Sequence, residues 1–214
     1  MERVKKVKAF RLASKKLPTQ KAATRANEFA EIRQPKSDFI VIPQHSSEKR
    51  DYVPFGFFKS KFAVHNSCTF IADGGLNLFA LITSRMHMSW LRFIGGRLES
   101  RYRYSIGIVY NPFPWPDLDE AKKEKLNKLG QAILDARLKH PQSSLAALYD
   151  PLTMPPDLRK AHEANDKAVD QLYRKEAFAS DRARVEFLLA RYEQITAPAL
   201  ALAAQKPKKG KRKA

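Results

Sequence analysis

Cysteine is nearly absent. Cys68 stands alone in 214 residues, which rules out a disulfide framework and a multi-cysteine metal site and fits a reducing cytoplasm. Glycine is scarce, with eight residues, and none forms a phosphate-cradling loop behind a strand, so no dinucleotide or nucleoside-triphosphate site is visible. Long apolar runs are missing too. The longest, around Leu76 to Ile82, is far too short to span a bilayer, and no apolar h-region follows the basic N-terminus as a signal peptide would require. HExxH, CxxC and GxSxG do not occur. Met86-His87-Met88 offers one histidine without an acidic or thiol partner at ligand spacing, so a structural histidine is expected there. The expectation is a binding unit with no catalytic, cofactor-binding or metal-ligating residue of its own.

Acidic charge is the minority: 22 Asp/Glu against 40 Lys/Arg, a net charge of +18. Its distribution is uneven. Met1–Arg50 carries 13 basic and 5 acidic residues, a net of +8, and the span 51–116 carries 7 and 3, a net of +4. The span 117–204 balances at 14 and 14, and the last ten residues, QKPKKGKRKA, add +6. Solubility alone does not explain such segregation. A polyanionic partner does, with nucleic acid first and an anionic membrane surface second.

Met1 to Ala30 has helix-forming composition, with an irregular apolar stripe of Val4, Val7, Phe10 and Leu12 broken by Pro18. Phe39–Pro43, FIVIP, reads as a short strand buried on both faces. A polar turn follows, and the Tyr52–Phe58 run suggests a hairpin with FIVIP. Ser46, Ser47, Lys49 and Arg50 in that turn suit donation to phosphates, although an ordinary solvated loop has the same composition. A third strand is expected near residues 61–64, leading to Asn66 and Ser67. From Gly75 to about Ile94 one helix is expected, with Leu78, Ile82, Met86, Ser89 and Phe93 on its buried stripe and Gly95-Gly96 ending it. After Asp117 three amphipathic helices with short links suggest a small bundle, the third capped by Asp181. The fold class is thus α+β: a mixed α/β domain over 1–116, a helical domain over 117–204, and a disordered basic tail over 205–214.

Between these parts lies the most informative stretch, Gly95 to Pro116, GGRLESRYRYSIGIVYNPFPWP. From Leu98 to Tyr110 the period is two, which predicts a strand with Arg97, Glu99, Arg101 and Arg103 on one face. That is too much charge for a core. Arginine offers a planar fork to O6 and N7 of guanine, and a carboxylate accepts from the N4 amino group of cytosine. Glu99, Arg101 and Arg103 therefore suit the reading of G·C pairs, and they equally suit a solvent-facing, salt-bridged strand. Asn111-Pro112-Phe113-Pro114 is similar to the Asn-Pro-Pro-Tyr/Phe loop of amino-methylating enzymes, but its second proline is displaced and no Gly-rich strand lies upstream. It reads as a rigid, chain-reversing segment.

The run MHMSWLRFIGGRLESRYRYSIGIVYNPFPWP, with FAEIRQPKSDFIVIPQHSSEKRDYVPFGFF upstream and LYDPLTMPPDLRKAHEANDKAVDQLYR and RVEFLLARYEQIT downstream, resembles one family throughout. It is that of the MmeI-like type IIL restriction–modification enzymes and YeeA-like adenine-specific DNA methyltransferases. The resemblance implies a target-recognition domain followed by a helical C-terminal domain, bound to double-stranded DNA. It implies that Glu99 and Arg101 jointly read one base pair, and that Arg103 reads another together with Asn66 and Ser67. S-adenosylmethionine is the cofactor implied for a methyltransferase domain whose motifs, like those of the family's nuclease, are missing here. The start of the recognition domain is expected upstream of Met1, and this chain alone is expected to be inactive. A basic protein that binds nucleic acid without reading bases is the alternative.

Overall fold

A computed structural model describes residues 1–29 and 34–205, with side chains described up to residue 199. The expected disordered basic tail therefore lies almost wholly outside the described residues. Two compact units are present, Met1–Pro35 and Lys36–Ala214. In the first, helix α1 (Glu2–Leu12) and helix α2 (Leu17–Lys21) lead into a 3₁₀ turn over Ala22–Arg25. Arg11 closes that turn by donating to the carbonyls of Ala22, Arg25 and Glu28 at 2.7–2.8 Å. Val4, Val7, Phe10 and Leu12 are all exposed.

The second unit holds two small antiparallel sheets. Strand β1 (Phe39–Pro43) lies between β3 (Gly56–Phe58) and β4 (Cys68–Ala72). The expected FIVIP strand and its pairing with the 56–58 region are present, but residues 61–64 are not a strand, and the third strand begins at Cys68. Strand β2 (His45–Ser46) leaves this sheet and joins β6 (Arg101–Arg103) and β5 (Gly96–Leu98) in the second.

Residues 76–94 form two helices rather than one, α3 (Leu76–Ile82) and α4 (Arg85–Ile94). The break is chemical. The Thr83 hydroxyl bonds back to the Phe79 carbonyl at 2.7 Å, and the Ser84 hydroxyl bonds to Leu81 at 2.6 Å while capping α4 at His87. Such hydroxyls compete with the helical ladder. The break shifts the phase of the second half: Met86 through Leu91 are all buried and Phe93 is 60 % exposed, against the expectation that it packs inward. Gly95 ends α4 because a Cβ there would lie 2.4 Å from the Leu91 carbonyl oxygen.

Helices α5 (Glu120–Leu138), α6 (Leu145–Leu148), α7 (Pro156–Tyr173) and α8 (Asp181–Gln205) follow. They do not form a core of their own. α5 packs on α3 and α7, and α8 packs on α4, so one hydrophobic cluster runs from Ile40 to Leu188. Gly130 in α5 permits this approach, since a Cβ there would stand 2.6 Å from the backbone oxygen of Leu76. The proline-aromatic segment is part of the same seam: Phe113 and Pro114 are buried, and the Pro114 and Trp115 carbonyls accept from Tyr173 and Arg191.

Buried polar groups knit the seam. Arg137 donates to the Phe55 carbonyl at 2.7 Å and to the Tyr149 hydroxyl, which also meets His162 at 2.7 Å. Tyr52 stacks on His162 and donates to Asp166 at 2.6 Å. Burial pushes His87 and His162 down to about 3 and Asp166 up to about 6. Unfolding releases all three to their ordinary values. Below pH 6.5 the unfolded chain protonates both histidines while the folded chain does not, so stability decreases as the pH is lowered. Asp166 opposes this between about 6 and 3.8, because its folded form takes up the proton first. Two sites outweigh one. The midpoint of thermal unfolding is therefore expected to decline as pH falls from 6.5 to 4.5, and more steeply in Asp166→Asn; a flat profile would contradict it.

Candidate nucleic-acid interface

The sequence Gly96–Arg103 folds as a hairpin, not as part of a long strand to Tyr110. Leu98 pairs with Arg101, leaving Glu99 and Ser100 as a two-residue loop. Glu99 takes φ 57°. Two-residue hairpin loops require a positive φ at their first position and normally place glycine, asparagine or aspartate there. Glutamate at this position is strained. Beyond Ser105 the chain turns into a π-helical segment over Ile106–Tyr110.

The turn redistributes the expected ladder. Cross-strand partners share a face, so Arg97, Tyr102 and Ser46 point one way, while Gly96, Leu98, Arg101, Arg103 and His45 point the other. Arg97 thus leaves the charged face. Its guanidinium lies 4.0 Å over the Tyr102 ring and donates to the carbonyls of Arg92 and Ser100. Arg101 and Arg103 stay exposed on the outer face. Arg101 donates to Glu99 at 3.1 Å, with the two side chains 56 % and 73 % exposed. An ion pair so exposed contributes about 0–1 kcal/mol, too little to repay the strained backbone. Arg103 has no carboxylate or carbonyl partner among the described residues, and its stem runs over Gly96, where a Cβ would stand 3.8 Å away.

Gln44 links the Asn66–Ser67 segment to the strand that carries Arg103. Its amide N–H donates to the Ser67 carbonyl at 3.1 Å and its side chain donates to the Asn66 carbonyl at 3.2 Å. Its own carbonyl accepts from the Tyr104 amide at 2.9 Å, directly after Arg103. Asn66 and Ser67 are exposed, and the Ser67 hydroxyl meets His65 Nδ1 at 2.9 Å.

The 46–51 loop flanks the tip of the hairpin. The Tyr102 hydroxyl donates to the Glu48 carbonyl at 3.4 Å. The Glu48 carboxyl is held below its usual range by its own backbone N–H first, with help from Ser100, Lys49 and Arg101. Lys49 is exposed, whereas Ser46 is 4 % exposed and its hydroxyl faces Arg50 at 3.5 Å. Ser47 accepts from the Lys49 amide at 3.3 Å and so shapes the turn. Gln44, Glu48 and Arg92 were not legible as parts of this site, because only the sheet crossover brings them together.

The first foot of the hairpin continues directly from α4, and the chain beyond the second is bonded to that helix. Trp90 Nε1 donates to the Val109 carbonyl at 3.0 Å, and His87 Nε2 meets the Tyr104 hydroxyl at 2.8 Å. His87 is fully buried there. The arrangement is a rigidly mounted hairpin presenting a guanidinium–carboxylate pair, a second guanidinium and a flanking basic loop.

Exposed guanidinium groups beside a basic loop suit a polyanionic ligand. Residues 1–117 match the family described as the MmeI target recognition domain, and residues 118–200 match the MmeI C-terminal domain. The chain belongs to the MmeI family. It is 37 % identical over 195 residues to DNA methyltransferase A of Bacillus subtilis (strain 168), covering 91 % of this chain and 22 % of that protein. The solved structure of the type IIL restriction-modification enzyme MmeI in complex with DNA is similar at TM-score 0.85 and 43 % identity, over 92 % of this chain and 26 % of that one. The chain thus spans about a quarter of these relatives.

The strain at Glu99 separates stability from function. Glu99→Gly is expected to leave unfolding stability unchanged or raise it by up to about 1 kcal/mol, because glycine accepts positive φ freely. Glu99→Val, branched at Cβ, is expected to lower it. Thermal unfolding of the two variants checks the order.

Proposed function

We propose that the chain is the sequence-specific double-stranded DNA recognition portion of an adenine-N6 methyltransferase or restriction–modification enzyme. It positions a target adenine for methylation by a domain or partner outside this chain. S-adenosylmethionine would be held by that domain, and no residue here is assigned to it. With DNA as its ligand, the protein would work in the cytoplasm, at the nucleoid.

The observation that carries this reading is the exposed Glu99–Arg101 pair on a strained turn. A G·C pair presents two acceptors on guanine and one donor on cytosine in the major groove. The Arg101 fork and the adjacent Glu99 carboxylate present the complement, so together they read one base pair. Arg103, next to the Asn66–Ser67 segment through Gln44, reads a second. Ser47, Lys49 and Arg50 contact the phosphate backbone, with Ser46 holding Arg50 from inside, and set the register in which bases are met. The partner enzyme reaches the amino group of adenine by flipping the base from the stack.

The test is salt-titrated binding of the chain to a random-sequence duplex pool, followed by sequencing of the retained fraction. An enriched motif is expected, together with a steep salt slope. Arg101→Ala and Arg103→Ala should each lose about 1–3 kcal/mol of discrimination at one position of that motif. A steep slope with no motif, or equal weakening on every sequence, would mean a basic backbone binder instead.

A further inference from the structure

Behind the hairpin, Arg92 links it to the start of α8. Asp181 opens α8, yet it does not cap that helix; the Ser180 hydroxyl does, accepting from the Ala183 amide at 3.1 Å. The Asp181 carboxylate is turned instead toward α4, where it accepts from Arg85 Nε at 2.8 Å and Arg92 Nη1 at 2.7 Å. Arg184 approaches it at 3.3 Å and is itself clamped in the interior by Asp170 at 2.5 and 3.1 Å. Burial raises the Asp181 carboxyl, but the Arg85 hydrogen bond and the surrounding guanidinium charges outweigh it and hold the group ionised below its usual range.

Arg92 is the branch point. Its second nitrogen donates to the carbonyls of Arg50 and Asp51 at 3.4 and 3.0 Å, at the end of the loop that carries Ser47, Lys49 and Arg50. Its own carbonyl accepts from Arg97 at 3.2 Å, and Arg97 in turn covers Tyr102 and holds Ser100 at the hairpin tip. The Arg92 side chain therefore ties the Ser47–Arg50 loop to the residue whose backbone carbonyl receives Arg97 from the hairpin, and Asp181 orients that side chain. A planar guanidinium can hold several acceptors in fixed directions, which an ammonium cannot.

We propose that Asp181 and Arg92 are positioning residues for sequence reading: from behind, without touching DNA, they fix the register between the Ser47–Arg50 loop and the Glu99–Arg101 hairpin. This rests on the base-reading function proposed above. Helix α8 thereby sets specificity. Loss of the link lets the loop settle on phosphates while the hairpin misses its bases, so selectivity falls while general attraction to DNA remains.

The experiment compares Asp181→Asn and Arg92→Lys with the unaltered 214-residue chain, on the duplex enriched from the random pool and on the same duplex with one base pair changed. The affinity ratio between the two duplexes is expected to fall about tenfold in both variants, with the salt slope unchanged because no phosphate contact is lost. Arg85→Ala removes an Asp181 partner that touches neither loop nor hairpin, and should keep the ratio even where its melting temperature drops. In a double-mutant cycle, Arg101→Ala should cost less selectivity on the Asp181→Asn background than alone. The assignment is overturned if the ratio holds in Asp181→Asn and Arg92→Lys, if both affinities fall in proportion with stability, if Arg85→Ala loses as much selectivity, or if the cycle is additive. Should Arg101→Ala lose no selectivity in the unaltered chain, base reading itself fails; should it lose selectivity while Asp181→Asn does not, the brace alone fails.

Discussion

The indole of Trp90 donates to the carbonyl of Val109 from inside the core, and three residues earlier on the same helix His87 meets the hydroxyl of Tyr104. These two bonds grip the chain where it leaves the hairpin, and α4 itself runs into the hairpin at Gly95. Both ends of an eight-residue projection are therefore held by one helix, most of which is buried. A short hairpin is marginal by itself in water. Here its order is borrowed from α4, and the order of α4 from the helices packed around it.

Much of this was legible in the residues. FIVIP gave away its strand through a continuous apolar run, and Pro155-Pro156-Asp157 opened α7 where proline is tolerated. The Glu99, Arg101 and Arg103 alternation pointed to side chains that are indeed exposed. It misplaced Arg97, because a two-residue turn inverts the face on which alternation continues, and periodicity alone does not show a turn without glycine or asparagine. The single long helix expected over 76–94 failed for a related reason. Thr83 and Ser84 look neutral in a helical pattern, yet their hydroxyls take backbone acceptors and stop it. Asp181 resembled a cap in sequence, while in space three guanidinium groups compete for it and a neighbouring serine takes over the cap. Such choices are made by tertiary partners, which no local pattern records.

The basic charge also divides once the fold is known. Arg92, Arg97, Arg137 and Arg184 are committed to carbonyls, rings and carboxylates of the protein itself. Arg101, Arg103 and Lys49 are exposed on or beside the hairpin. The two groups look alike in composition. Their difference lies in what faces them: Arg137 and Arg184 are buried and need acceptors inside the protein, Arg92 and Arg97 reach backbone carbonyls from nearer the surface, and Arg103 has no such acceptor among the described residues. The near-neutral second half is consistent with this division, since its charges pair largely with one another and with the arginines of α4.

Glu99 sits at the summit of that hairpin in a backbone conformation that suits it poorly, with its side chain outside the core. A mutation at the tip consequently meets little resistance from folding, whereas one in α4 or in the seam beneath it disturbs the whole molecule. Variation is therefore cheap at the exposed turn and costly in the helix that holds it. Among descendants of such a chain, drift should accumulate at the turn while the scaffold beneath it stays the same.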